Sequence, residues 1–134
     1  AKAMQIQSLL AVMLGGSLGA LTRYLLGWGV AHWFKASHLP IATFVVNMLG
    51  CFCIGFIAAF FESKQWGLEN LRLFIMVGFL GSFTTFSTYI WESSWLFKTD
   101  HVLAAIINLG TQVFLGLFLA AAGWIVYSTI KPGV

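Results

Sequence analysis

The sequence predicts an all-α membrane protein with four spanning helices, and three observations carry that prediction. Only 8% of the 134 residues are charged and 60% are hydrophobic, where an ordinary soluble domain carries about 25% charge. Four apolar stretches, about residues 6–30, 41–61, 71–97 and 102–130, each reach the ~20 residues that cross a ~30 Å hydrocarbon layer. The joints between them, HWFKASHLP, ESKQWGLEN and KTDH, are short and polar. Backbone groups in lipid must pair internally, which makes each span a helix. The alternating ten-residue strands of a barrel are absent. The chain reads as one four-helix transmembrane domain, residues 1–134, with no room for a soluble one. A cleavable signal peptide is not expected, because the first stretch is too long for one. The leading AKAM and trailing KPGV read as loose ends.

The first span carries GGSLGALTRY. Gly15 and Gly19 have the spacing that lets two membrane helices touch backbones. Arg23, near the end of the span, either snorkels to the interface or meets an anion or acidic partner.

The second span starts at Pro40, where a missing N–H costs nothing, and carries FVVNMLGCFCIG. Thr43, Asn47 and Cys51 share one helical face. An amide at the depth of Asn47 is costly unless bonded across a helix or facing water, so it is either interhelical glue or a donor to something passing. Cys51 and Cys53 point apart, which argues against a disulfide or metal pair.

The third span holds the least lipid-like run. GSFTTFSTY, residues 81–89, has one Gly, two Ser and three Thr. Gly and Thr are poor helix formers, so the run invites a break near the middle of the span. A break exposes carbonyls at one half-helix end, suited to a cation, and N–H groups at the other, suited to an anion. Beyond it Thr85, Thr88 and Glu92 form one stripe, with Phe86 and Tyr89 beside it. A hydroxyl lining without charge suits a small ion that must be desolvated but not held tightly.

In the fourth span Asn108 and Gln112 share a face, either flanking the same polar track or bonding helices together. Gly116, Ala120 and Gly123 follow as small packing residues. The tryptophans, Trp28, Trp33, Trp66, Trp91, Trp95 and Trp124, fall largely near span ends, where aromatic belts form. His32, His38 and His101 sit in or near loops without a ligand partner at metal-binding spacing. No nucleophile–base set, phosphate loop or metal motif is present, so an enzyme is not expected.

Net charge is +3, too thin and scattered for nucleic acid. With four spans, Lys2, Lys64, Arg72 and Lys131 share one side, and Arg23, Lys35 and Lys98 the other. The positive-inside rule then gives little orientation preference. Two readings stay open: one orientation set by weak bias or assembly, or dual topology with copies paired antiparallel.

GGSLGALTRY, FVVNMLGCFCIG and GFLGSFTTFSTYIWE resemble the three signature stretches of the Fluc (CrcB-type) fluoride channel family, over essentially the whole chain. The usual forms resemble GG-x-x-G-x-x-x-R-[WY], G-T-x-x-x-N-x-x-G and G-F-x-G-[GS]-x-T-T-F-S-T-F. The resemblance implies a fluoride-selective channel that exports cytoplasmic fluoride passively and gives fluoride resistance. It implies a bacterial inner-membrane protein and an antiparallel, dual-topology homodimer with two pores. Asn47 matches the asparagine that donates to fluoride. Phe86 matches the first ring of a phenylalanine pair, and Tyr89 stands in place of the second. Ser87 and Thr88 match the hydroxyls that follow, and Arg23 a vestibule arginine. Gly81 and Thr84 match positions whose backbone carbonyls, from both subunits, hold a structural sodium ion at the dimer centre. Gln112 matches a polar position, and Gly116 and Ala120 replace serines and threonines of a polar track. The Tyr89 hydroxyl is expected to find a carbonyl on Asn108 or Gln112. With Thr85 and Asn108, these residues make up the expected fluoride pathway.

Two rivals belong to other classes. A proton-coupled multidrug exporter of similar size needs a carboxylate in the first span, which has none. A non-transporting membrane assembly subunit would use the hydroxyls as packing glue.

Overall fold

The computed structural model describes residues 4–35, 38–64 and 67–131. Lys2 and Trp66, and the expectations placed on them, lie outside these residues. All regular structure among the described residues is helical: α1 (Ile6–Trp33), α2 (Ile41–Glu62), α3 (Glu69–Arg72), a π-helical stretch (Leu73–Leu80), α4 (Gly81–Phe83), α5 (Phe86–Lys98) and α6 (Val102–Ile130). Four helical spans are long and apolar enough to cross a membrane: Ile6–Trp33, Ile41–Glu62, Glu69–Lys98 and Val102–Ile130. The first runs three residues beyond its expected end at residue 30, as its closing bond, Phe34 N–H to the Val30 carbonyl at 3.0 Å, makes plain.

The bundle is inside-out relative to a soluble one. Leu14, Leu18, Leu21 and Leu25 on α1, and Phe114, Leu117 and Phe118 on α6, face outward. Small and polar residues face inward: Gly15 and Gly19 on α1, and Asn108, Gln112, Gly116 and Gly123 on α6. That distribution suits lipid, where close backbone packing and hydrogen bonds, not burial of leucine, hold helices together. An apolar cluster of Val46, Leu80 and Phe83 fills the middle.

Glycines set the two main helix contacts. α1 lies along the π-helical stretch. A Cβ on Gly15 would strike the Phe74 carbonyl, and one on Gly19 the Phe79 carbonyl. α2 lies along α6. Three pairs lock it, Asn47 with Gln112, Cys51 with Gly116 and Gly55 with Ala120, each one turn further along both helices, so the two run parallel.

The π-helical stretch has no signature in the sequence. Wider turns of this kind are rare and appear mostly within α-helices, frequently at functional sites; here the stretch lies against the backbone of α1. A Cβ on Gly78 would sit 2.8 Å from the Val12 carbonyl oxygen.

Candidate functional site

The third span changes conformation inside the hydroxyl run. α4 ends at Phe83. Thr84 (φ −84°, ψ 157°) and Thr85 (φ −147°, ψ 117°) are extended, and α5 begins at Phe86. Thr85 caps α5, its hydroxyl accepting from Thr88 N–H at 3.4 Å and donating to Thr88 Oγ1 at 3.0 Å. Such a cap satisfies one of the donors that a helix start leaves without a partner.

Asn47 fills the interruption from α2. Its Oδ1 accepts from Thr85 N–H at 2.9 Å, and its Nδ2 donates to the Thr85 carbonyl at 3.0 Å. In an unbroken helix Thr85 N–H bonds to the Gly81 carbonyl one turn back. The asparagine thus substitutes for helical backbone, and the carbonyl end of α4 is released from its donor.

Asn47 also begins a string of side chains. Its Nδ2 donates to Gln112 Oε1 at 2.8 Å. Gln112 Nε2 donates to Asn108 Oδ1 at 3.0 Å, and Asn108 Nδ2 to Ser93 Oγ at 2.9 Å. Ser93 in turn donates to the Tyr89 carbonyl at 2.8 Å. Asn108, Gln112 and Ser93 are 5%, 7% and 2% exposed. Backbone groups close both ends: Thr85 N–H only donates and the Tyr89 carbonyl only accepts. Every amide in between therefore has one permitted orientation.

Two grooves meet at this point. One, of about 370 Å³, is lined by Asn47, Gly81, Thr84, Phe86, Tyr89 and Gln112 among others. The other is lined by Arg23, Tyr24, Trp28, Thr43, Thr85 and Thr88 among others. Thr85 sits on both. The Phe86 and Tyr89 rings lie 5.7 Å apart at 55°, with Phe86 74% exposed and Tyr89 buried.

The geometry revises several expectations. Both Asn47 amide hydrogens are engaged within the protein, so the glue role is real in this conformation. The Tyr89 hydroxyl donates to the Leu109 backbone carbonyl at 2.7 Å, not to Asn108 or Gln112, whose carboxamides are committed to the string. Ser87 is exposed and lines neither groove. Gly116 packs beside Cys51 Sγ and contributes no polar group. Sequence reasoning missed Ser93, although its place one turn beyond Tyr89 is a usable signal for a bridging hydroxyl. It also missed the bond from Thr43 Oγ1 to Glu92 Oε1 at 2.8 Å, which joins α2 to α5. The other carboxylate oxygen, Glu92 Oε2, is buried and unpartnered. Among the described residues no three His, Cys, Asp or Glu cluster as a metal site.

Four apolar spans around a buried string of neutral amides and hydroxyls define a multi-pass membrane protein with a polar site inside its bundle. Residues 10–124 match the family model described as CrcB-like protein, Camphor Resistance (CrcB). The chain belongs to the CrcB-like family. It is 40% identical over 114 residues to the fluoride-specific ion channel FluC of Maridesulfovibrio salexigens, covering 85% of this chain and 90% of that protein. It is 41% identical over 112 residues to FluC of Desulforapulum autotrophicum, covering 84% and 89%. It is 43% identical over 115 residues to FluC of Salinibacter ruber, covering 86% and 85%.

Proposed function

We propose that this chain is a fluoride-selective ion channel, through which cytoplasmic fluoride leaves the cell passively and resistance to fluoride follows. The relatives are named fluoride-specific ion channels. One observation in this chain carries the reading furthest. A carboxamide on α2, Asn47, is fixed at an interruption in a membrane span, bonded to Thr85, the residue that two grooves share, and lining one of those grooves itself. Non-helical backbone at membrane depth is tolerated where it is buried in protein or lines a cavity.

In this reading Arg23 supplies a positive mouth and attracts the anion into its groove. Thr88 and Thr85 offer hydroxyls along the wall, and Asn47 offers an amide donor. The positive ring edges of Phe86 and Tyr89 then receive the ion without a competing cation. Past Arg23 each contact is neutral and modest, so none traps the ion. Gln112 and Asn108 complete the polar wall on α6. Ser87, exposed on a single chain, joins the pathway only if a second copy covers it.

The third span acts as a broken membrane helix, and the working unit is an antiparallel, dual-topology homodimer in the bacterial inner membrane. The nearly even division of cations between the two sides supports dual topology. The exposure of Gly81 and Phe86 on one chain supports a second copy across that face. A sodium ion fits the end of α4, where the Gly81 carbonyl has lost its helical donor and Thr84 is extended. Those two residues would hold it by neutral backbone oxygens, the ligands such ions take at half-helix ends, and it would supply structural charge at the dimer centre.

The test uses purified protein in liposomes, with a fluoride electrode following efflux and a chloride electrode as control. Rapid fluoride release with chloride retained is expected. No fluoride release, or equal release of both anions, sinks the reading.

A further inference from the structure

The groups that would serve fluoride are already satisfied. Asn47 Nδ2 has two hydrogens and two acceptors, the Thr85 carbonyl at 3.0 Å and Gln112 Oε1 at 2.8 Å. Fluoride is purely an acceptor, so it binds Asn47 only by replacing one of these. The Thr85 carbonyl is main chain, clamped by the return bond from its own N–H. Gln112 Oε1 sits at the end of a side chain with three rotatable bonds, on the wall of the open groove that Asn47 also lines.

We propose that the Gln112 carboxamide is a tethered competitor of the transported anion: it occupies the Asn47 donor when no ion is present and is displaced when fluoride arrives. The proposal rests on the fluoride-channel reading. It changes the role of Gln112 from part of the polar wall to an acceptor that the ion must beat.

The rest of the string explains why the competitor faces the right way. A free glutamine amide presents either end. Here Nε2 is committed to Asn108 Oδ1, Asn108 to Ser93, and Ser93 to the Tyr89 carbonyl. That last acceptor cannot reverse, so Oε1 is the end directed at Asn47. Asn108 and Ser93 are positioning residues for Gln112. The arrangement also solves a folding problem. An amide donor at this depth is costly without a partner, and Gln112 supplies one during every interval when the site holds no ion.

The sign of the effect separates this role from ordinary pore lining. Gln112→Met keeps length and flexibility but removes the acceptor. The fluoride concentration giving half-maximal efflux from liposomes is then expected to fall roughly 5–10-fold, the worth of one neutral hydrogen bond. Ser93→Ala, which loosens the anchor, should lower it by a smaller factor. Ser94→Ala should leave it unchanged, because Ser94 bonds to the Ile90 carbonyl on another face. A rise, or no change, in Gln112→Met protein of normal elution volume and wild-type chloride retention overturns the proposal.

A measurement on the wild-type protein decides the matter should Gln112→Met fail to fold. Side-chain amide resonances of nitrogen-labelled protein in micelles are followed through a fluoride titration. The Gln112 resonances should move with the same midpoint as those of Asn47. Gln112 resonances that stay fixed while Asn47 shifts overturn the proposal. Wild-type protein that releases no fluoride sinks the channel reading and this inference with it. Wild-type release with an unaltered Gln112→Met midpoint sinks the inference alone.

Discussion

Asn47 and Thr85 hold each other by two reciprocal hydrogen bonds, Thr85 N–H to Asn47 Oδ1 at 2.9 Å and Asn47 Nδ2 to the Thr85 carbonyl at 3.0 Å. A side chain from α2 thus completes the backbone of the third span. The pairing makes Asn47 a fastener, while its second hydrogen is given to Gln112 beside the groove that both side chains line.

Asn47→Asp should abolish fluoride release. The substitution keeps shape and keeps an acceptor for Thr85 N–H. It replaces Nδ2 by an oxygen that faces two acceptors, the Thr85 carbonyl and Gln112 Oε1. Fluoride meets a negative charge where it needs a donor. The mismatch should also cost at least about 1–3 kcal/mol of stability, readable as a lower thermal midpoint in detergent. Efflux at the wild-type rate would show that no ion passes Asn47.

Tyr89→Phe should keep chloride excluded while slowing fluoride release. The ring edge remains, but the bond to the Leu109 carbonyl is lost, at about 0.5–1.5 kcal/mol, and with it one hydrogen-bonded tie of α5 to α6, the Asn108–Ser93 bond being another. Tyr89→Ile should slow release further, since it removes ring and hydroxyl together. Equal rates for the Phe and Ile variants, in the same electrode assay, would reduce this position to packing.

Adding a pair of lysines to the connection between α2 and α3 should force one orientation. An antiparallel pair then lacks its oppositely inserted copy. Activity in cells should collapse, and return when a copy biased the other way by lysines after Lys98 is co-expressed. Full activity from the singly biased protein excludes the antiparallel arrangement.

Gly55→Leu should disrupt the bundle, because its Cβ has no space: the Ala120 carbonyl occupies it. Forcing the parallel helices α2 and α6 apart separates Asn47 from Gln112 as well. A loss of about 1–3 kcal/mol or more is expected. Gly29→Leu is the control, with no atom near its Cβ position, and should leave the thermal midpoint close to that of the wild type.

The helices were legible because lipid imposes a crude requirement, length and apolarity, that composition alone reveals. The residues of the polar string were legible for a related reason. Asn47, Asn108 and Gln112 stand out precisely because hydrocarbon penalises amides. Their connectivity was not legible. Whether an amide bonds a neighbour or a passing ion depends on distances across helices, and Ser93 looks like any other helical serine until Asn108 is placed beside it. The Tyr89 partner was missed for the same reason. A backbone carbonyl inside a helix has no sequence signature, whereas two nearby carboxamides attract the eye. The π-helical stretch was invisible from its local sequence, and the glycine face of α1 against which it packs is more than 50 residues away in the chain.

Beyond the reciprocal pair of Asn47 and Thr85, the string to Tyr89 has a direction, since each donor points at the next acceptor. Its two steps along helices, Gln112 to Asn108 on α6 and Ser93 to Tyr89 on α5, each run toward that helix's N-terminus, and because consecutive spans cross in opposite senses the two steps oppose each other along the membrane normal. A pair of chains inserted in opposite senses would look the same from either side of the membrane, so its current–voltage curve should be symmetric about zero.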